Sequence, residues 1–196
     1  MMYKLGKVLF ASLFTYLCRW KVRGANNVPK EGPVVIVSNH LSLWDPMAVG
    51  AAIERRIYFM AKAELFKYPI VGLIVKSWGA FPVRRGHLDR EALKNAMKVL
   101  KRGDVLGIFP EGKRSPSGKL QKFKPGAVSL AAKYGAPIVP VGLIGTKKIF
   151  SRGWFRTFEV NIGEPIPTEE FKDKGSDIEK LNKIVWEKVA ELSGQL

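Results

Sequence analysis

The stretch Pro33-Val34-Val35-Ile36-Val37-Ser38-Asn39-His40-Leu41-Ser42-Leu43-Trp44-Asp45-Pro46 opens on four consecutive β-branched residues and closes on Asp-Pro. The β-branched run reads as a short strand. Asp followed by Pro reads as a helix start, with Asp45 as the cap and Pro46 at the first helical position. The polar block between them is then a loop joining the end of a strand to the start of a helix. That succession is the repeating unit of an α/β fold.

The same alternation continues outward. Pro46 to Ile53 is the helix, Ile57 to Met60 the next strand, and helical material follows up to Trp78. A short strand at Ala80 to Val83 precedes a helix near Asp89 to Arg102 that is acidic at its start, basic at its end and stopped by Gly103. A strand at Val105 to Phe109 leads into a polar loop rich in Lys, Ser and Gly, then a helix from Pro125 to Gly135. Strands at Pro137 to Ile144 and near Phe158 to Ile162, and an amphipathic helix over about Asp177 to Leu192, complete the chain. The pattern predicts an α/β fold with a mixed, mostly parallel central sheet flanked by helices. There is no internal repeat, and Thr168 to Ser176 is the one linker-like stretch.

A chain of 196 residues suffices for one domain with a substantial core plus an appendage. Its net charge of +16 is uneven: residues 1–158 hold 28 basic and 8 acidic side chains, and residues 159–196 hold 5 and 9. Such a field concentrates nucleic acid, anionic headgroups, acidic carrier proteins or phosphorylated metabolites alike, so motifs must choose among them. The lone Cys18 excludes an internal disulfide and a cysteine metal cluster, and fits a reducing compartment.

Val8 to Cys18 is an uncharged run between Lys4 and Lys7 on one side and Arg19, Trp20, Lys21 and Arg23 on the other. As a helix it is about 16 Å long at ~1.5 Å per residue, roughly half the ~30 Å hydrocarbon core of a bilayer. It is too short to span. Cys18-Arg19-Trp20-Lys21 offers no small-residue cleavage site of the kind a signal peptide needs. Two readings remain, a helix buried on the domain core or an interfacial helix whose cations meet anionic headgroups, and the basic flanks with Trp20 favour the second. Pro69 to Trp78, charged only at Lys76, joins it as a second contact of a monotopic anchor. The expected division is an N-terminal helical membrane-anchoring segment, 1–24, and an α/β domain, 25–196, held at the cytoplasmic face of the cell membrane as a monotopic or peripheral protein.

Open α/β sheets bind ligands beyond the carboxyl ends of their strands. Three polar clusters follow predicted strands: Asn39 to Pro46, Arg84-Arg85, and Pro110-Glu111-Gly112-Lys113-Arg114-Ser115. Together they hold a base, carboxylates and several cations. Across its loop, the Asp45 carboxylate can fold back onto the His40 imidazole, accept a hydrogen bond from one ring nitrogen and leave the other free as a base. Read alone, the two residues fit a cap and a turn better than a catalytic pair. His87 falls in an expected surface loop with no assigned role. Two distant histidines and scattered carboxylates show no metal-ligand spacing. Gly107 to Lys113 fits Gly-x4-Gly-Lys, but Arg114 stands where a phosphate-loop NTPase needs Ser or Thr, Gly107 lies within a strand, and Ser115-Pro116-Ser117-Gly118 reads as a turn where a helix should start. No helix-turn-helix or aromatic-basic ribonucleoprotein motif supports nucleic acid as a partner.

Four blocks occur in one order: Asn39-His40 with Asp45; Gly79-Ala80-Phe81-Pro82-Val83-Arg84-Arg85; Phe109-Pro110-Glu111-Gly112-Lys113-Arg114-Ser115; and Val139-Pro140-Val141. In them the chain resembles the glycerolipid acyltransferase family, in particular its bacterial PlsC-type 1-acyl-glycerol-3-phosphate branch, over about residues 30–145. It departs from the family at Lys113, usually Thr, and at Arg84, usually acidic or neutral. The resemblance implies transfer of an acyl group from a thioester of acyl carrier protein or coenzyme A to lysophosphatidic acid at an anionic membrane surface, with no cofactor. Glycerol-3-phosphate or another lysophospholipid is the competing acceptor, and a non-enzymatic basic membrane-binding module the competing class. On this reading His40 is the base and Asp45 its orienter. Arg85, Arg84, Lys113, Arg114 and Lys124 meet the substrate phosphate, with Arg85 favoured over Arg84 by position, and Glu111 meets the glycerol backbone. Asn39, Gly79, Gly112 and Pro140 shape loops.

Overall fold

The computed structural model describes residues 2–84, 89–151, 154–171 and 175–196. Helix α1 (Met2–Tyr16) and strand β1 (Lys21–Arg23) precede β2 (Val34–Ser38), α2 (Asp45–Ala52) and β3 (Ile57–Lys62). A 3-10 turn at Ala63–Lys67, α3 (Pro69–Ser77), β4 (Phe81–Val83), α4 (Arg90–Lys101) and β5 (Val105–Ile108) follow. The rest is α5 (Gly126–Tyr134), β6 (Ile138–Ile144), the short strands β7 (Phe150–Ser151) and β8 (Trp154–Phe155), β9 (Glu159–Ile162) and α6 (Gly175–Leu192).

Seven strands form one sheet in the order β1-β9-β6-β2-β5-β3-β4. From β6 to β4 every neighbouring pair is parallel, β9 runs antiparallel to β6, and β1 runs parallel to β9. The sheet is therefore mixed and mostly parallel, as the strand and helix alternation predicts. Strand β2 sits at its centre with all five residues buried. Val34 and Ile36 join the core on the α1 and α2 face, while Val35 and Val37 join the core made with α4, α5 and α6. A strand covered on both faces needs apolar residues at every position, so its sequence is a continuous apolar run.

Sequence signals set several boundaries. Asp89 caps α4 by accepting from the N–H groups of Glu91 and Ala92 at 3.1 Å, and the helix is followed by Gly103 with φ of 73°. Gly135, φ 57°, ends α5 in the left-handed conformation that glycine adopts without steric cost. Asp45 differs from the expectation. It is the first residue of α2 rather than its cap, and its carboxylate turns back into the preceding loop.

The amino-terminal segment is more integrated than a division at residue 24 implies. Strand β1, within 1–24, closes one edge of the sheet, where Arg23 pairs with Glu159 at 2.6 Å. Phe14 is fully buried against Trp20, Trp44 and Phe158, and Cys18 lies in the same core, where burial raises its thiol pKa. Lys7, expected to flank a membrane segment, donates instead to the carbonyls of Ile53 and Glu54 at 2.6 and 3.0 Å, satisfying acceptors at the end of α2. The opposite side of α1, with Met2, Leu5, Val8, Leu9 and Tyr16, is exposed. So is most of α3, including Ile70, Leu73 and Ile74. Trp78, just after α3, packs edge-on against Tyr3 and Phe10 of α1 and joins the two helices. Among the described residues no helix is long and apolar enough to cross a membrane.

Candidate active site

Because β2 is central and parallel to both neighbours, its carboxyl end opens onto the crevice where open α/β sheets hold ligands. Asn39, the first residue beyond it, is fully buried. Its amide donates to the Leu143 carbonyl at 3.0 Å and accepts from the Leu143 N–H at 2.8 Å, continuing the β2–β6 ladder by side chain and fixing where His40 emerges.

His40 Nδ1 lies 2.8 Å from Asp45 Oδ2, which also accepts from the N–H groups of Leu41 at 2.6 Å and Ser42 at 2.7 Å. Asp45 is completely buried. Three donors on one oxygen hold the carboxylate toward the loop, which explains why it does not cap its own helix. An acceptor-only carboxylate puts the imidazole proton on Nδ1 and leaves the Nε2 lone pair for a substrate. The ring, 12% exposed, stacks on Phe109 with centroids 4.2 Å apart and planes 21° apart, and Phe109 in turn stacks on Phe59.

The His40 backbone is gripped at both ends. Its N–H donates to Glu111 Oε1 at 2.7 Å, and its carbonyl accepts from the Ser115 N–H at 2.8 Å. The other Glu111 oxygen accepts from Gln121 Nε2 at 2.6 Å and Gln121 N–H at 3.3 Å. Burial raises the Glu111 pKa, opposed by these donated hydrogen bonds. Glu111, 5% exposed, thus braces the catalytic loop, where the family resemblance assigned it to a glycerol backbone.

The cations divide. Lys113 and Arg114 are exposed between the two residues that grip His40, so they border the site. Lys124 arches over Gly112, whose φ is 74°; a Cβ there would stand 3.4 Å from Nζ. Arg84 stands apart, exposed after β4 at the edge of the sheet, with its N–H donating to Asp89 Oδ2 at 2.8 Å. Three strand spacings separate β4 from β2, about 14 Å at ~4.8 Å each. Arg85 and His87 lie outside the described residues. Gly79, φ 80°, turns the chain into β4 where a Cβ would meet the Ile57 carbonyl at 3.0 Å. Pro140 was expected to shape a loop, but it lies inside β6, paired with Val37. Ile138, two residues earlier, exchanges both backbone bonds with Ile166 on the β9 side, so the nitrogen of Pro140 faces that way too and the β2 ladder loses no donor.

Phe109 and Ser115 were within a quoted block, yet nothing in the sequence says that one stacks on the imidazole and the other holds the His40 carbonyl. Gln121 carried no signal at all. Among the described residues, no group of three or more His, Cys, Asp or Glu gathers as a metal site.

A base and its buried orienter at the carboxyl end of a central parallel strand, bordered by a cationic loop, define a class as well as a geometry. The chain belongs to the acyltransferase family, whose model, described as Acyltransferase, matches residues 19–144. It is similar to a 1-acyl-sn-glycerol-3-phosphate acyltransferase of Bacillus subtilis, 31% identical over 182 residues that cover 90% of this chain and 89% of that protein. The chloroplastic 1-acyl-sn-glycerol-3-phosphate acyltransferase BAT2 of Brassica napus is 36% identical over 149 residues, 74% of this chain. The chain spans less than half the length of that plant relative, 43% of it. The crystal structure of the 1-acyl-sn-glycerophosphate acyltransferase PlsC from Thermotoga maritima superposes with a TM-score of 0.76 at 31% identity, covering all of this chain and 79% of that one.

Proposed function

We propose that this protein transfers a fatty acyl group from an acyl thioester to the sn-2 hydroxyl of 1-acyl-glycerol-3-phosphate, giving phosphatidic acid for phospholipid synthesis. The observation that carries the reading is the His40–Asp45 pair, with Nδ1 spent on a fully buried carboxylate and Nε2 free at the sheet's ligand-binding edge. The names of the relatives support the acceptor. The acceptor hydroxyl gives its proton to Nε2 as its oxygen attacks the thioester carbonyl. The tetrahedral intermediate then expels the thiolate, which takes that proton from the imidazolium, so ester and free thiol leave and the enzyme is unchanged. Base catalysis of this kind contributes about 10²–10⁴ in rate. Lys113, Arg114 and Lys124 supply the positive border that a phosphate monoester needs, and the family resemblance assigns Arg85 to the same phosphate.

Coenzyme A and acyl carrier protein are both polyanionic donors suited to this surface. The exposed apolar faces of α1 and α3, joined through Trp78, support docking in one leaflet of an anionic membrane surface, and the proposed side is the cytoplasmic one.

The test is release of free thiol when purified protein, with vesicles carrying lysophosphatidic acid, meets acyl-coenzyme A or acyl carrier protein thioester. Acceptor-dependent release that falls by about 10²-fold or more in His40→Ala supports the proposal. Release that ignores the acceptor, or survives in the variant, overturns it.

A further inference from the structure

Between β6 and β9 the chain leaves the sheet and builds a two-stranded hairpin, β7 and β8, with strands of two residues each. Its base is anchored inward. Ile149 and Phe158 are fully buried, and the Arg156 N–H donates to the Ile149 carbonyl at 2.7 Å. Its body faces outward: Phe150 and Phe155 meet edge-on at 5.4 Å and both are exposed. Trp154 is 73% exposed, whereas the other four tryptophans are buried or half-buried. Lys147, Lys148 and Arg156, which flank this aromatic group in sequence, are exposed. A hairpin this short has little stability of its own in water, and three neighbouring exposed aromatics exceed the scattered apolar residues of an ordinary surface.

Topology says what the hairpin lies beside. Strand β6 is parallel to β2, so the hairpin leaves the sheet at the edge where His40 emerges. Strand β9 runs antiparallel to β6 and β1 parallel to β9, so both begin at that same edge. There Phe158 meets Phe14 and Trp20, placing the hairpin next to the carboxyl end of α1 with its exposed Tyr16 and Leu17. Lys147 Nζ donates to the Pro116 carbonyl, which ties the hairpin's approach to the loop bearing Lys113 and Arg114. Leu43, exposed between His40 and Asp45, belongs to the same edge.

We propose that the β7–β8 hairpin is a separate membrane contact, inserting Phe150, Trp154 and Phe155 among lipid headgroups while Lys147, Lys148 and Arg156 pair with anionic phosphates, and so seats the active-site edge on the bilayer. It rests on the membrane-surface reading above and adds an element that reading does not use. Trp and Phe beside Lys and Arg suit the boundary between headgroup and acyl chain. An acidic protein partner would be met by the cations and would leave the aromatic group unexplained.

The experiment uses the full chain with vesicles of phosphatidylglycerol and phosphatidylcholine. Trp154→Phe leaves an apolar ring in place and reads location. Tryptophan emission of the wild type shifts to the blue on vesicle binding, and the variant loses most of that shift. The pair Phe150→Ser with Trp154→Ser reads energy. Its vesicle affinity, and its turnover of vesicle-borne lysophosphatidic acid at low lipid, fall roughly tenfold, while turnover of a short-chain acceptor below its micellar concentration is unchanged. Unchanged vesicle affinity in the pair, with turnover intact, overturns the hairpin contact and leaves the function standing. Loss of turnover on the soluble acceptor, or lost binding to an acidic carrier protein with vesicle binding intact, also overturns it. Failure of the wild type to bind vesicles overturns both the hairpin contact and the membrane-surface reading it rests on.

Discussion

Asp45 never touches substrate in this arrangement, being fully buried behind the imidazole. Its contribution is the negative charge that offsets the imidazolium. Asp45→Asn keeps an oxygen for the three donors but removes that charge, so kcat is expected to fall about 10²–10⁴-fold with little change in KM for the acceptor. Steady-state kinetics over acceptor concentration decide it, and a rise in KM without loss of kcat would contradict the assignment. This pair was legible in the sequence only in the company of the other three blocks, since by itself it reads better as a cap and a turn. Glu111 was legible only as part of a block; its partners His40 and Gln121 are brought to it by the fold.

The raised Glu111 pKa has a sign that can be checked. A folded-state carboxyl titrating above its ordinary value keeps its proton where the unfolded chain has lost it, so stability falls as pH rises through that window. Glu111→Gln has no such titration. The wild type should therefore lose stability relative to the variant as pH rises from the ordinary carboxylate range upward, as followed by urea midpoints at each pH. A difference that is flat or opposite in sign would remove burial as the dominant influence. Gly107 is a second residue whose role only the structure shows. A Cβ there would lie 2.3 Å from the Phe59 ring, the ring that backs Phe109 beneath His40. Gly107→Ala should cost about 1–3 kcal/mol by overpacking and reduce kcat as the stack is displaced, read by denaturation beside kinetics.

At the scale of elements, the α/β alternation was readable because long elements carry their own periodicity and punctuation, as Gly103 and Gly135 do at the ends of α4 and α5. Strands β1, β7 and β8 were not. Strands β7 and β8, two residues each, give no period, and β1 exists because β9 offers an edge and Glu159 meets Arg23 across it. Helix α1 meets the core-packed reading on one face, with Phe14 in the core, and leaves Leu5 and Leu9 exposed on the face that the proposed membrane contact uses. Helix α6 shows the same economy more simply. Leu181, Val185 and Val189 are fully buried against the α4 and α5 face, while Lys183 and Lys188 are exposed. Leu181→Ala is expected to cost about 2–5 kcal/mol in chemical denaturation. Lys183→Ala should stay within about 0.5 kcal/mol.

For the whole molecule, the sequence pattern yields two apolar faces for β2 but cannot say which helices cover which, since that depends on the order of strands in the sheet. The charge distribution is legible without the fold, and the fold turns it into a prediction. Lys113, Arg114, Lys124, Lys147 and Lys148 are exposed, on loops at the edge that bears His40. Binding to anionic vesicles should then have two components. The electrostatic part weakens as the Debye length shrinks from about 10 Å at 0.1 M salt to about 3 Å at 1 M, and the apolar part persists. Vesicle affinity is expected to drop roughly tenfold over that range and then level off, because the exposed side chains of α1 and α3 remain buried in lipid. His40→Ala should follow the same curve, since its lesion lies in chemistry and not in docking. Co-sedimentation at several salt concentrations measures both. Binding that vanishes at high salt would make the attraction purely ionic and remove the apolar helices from the membrane contact, whereas binding indifferent to salt would remove the cations.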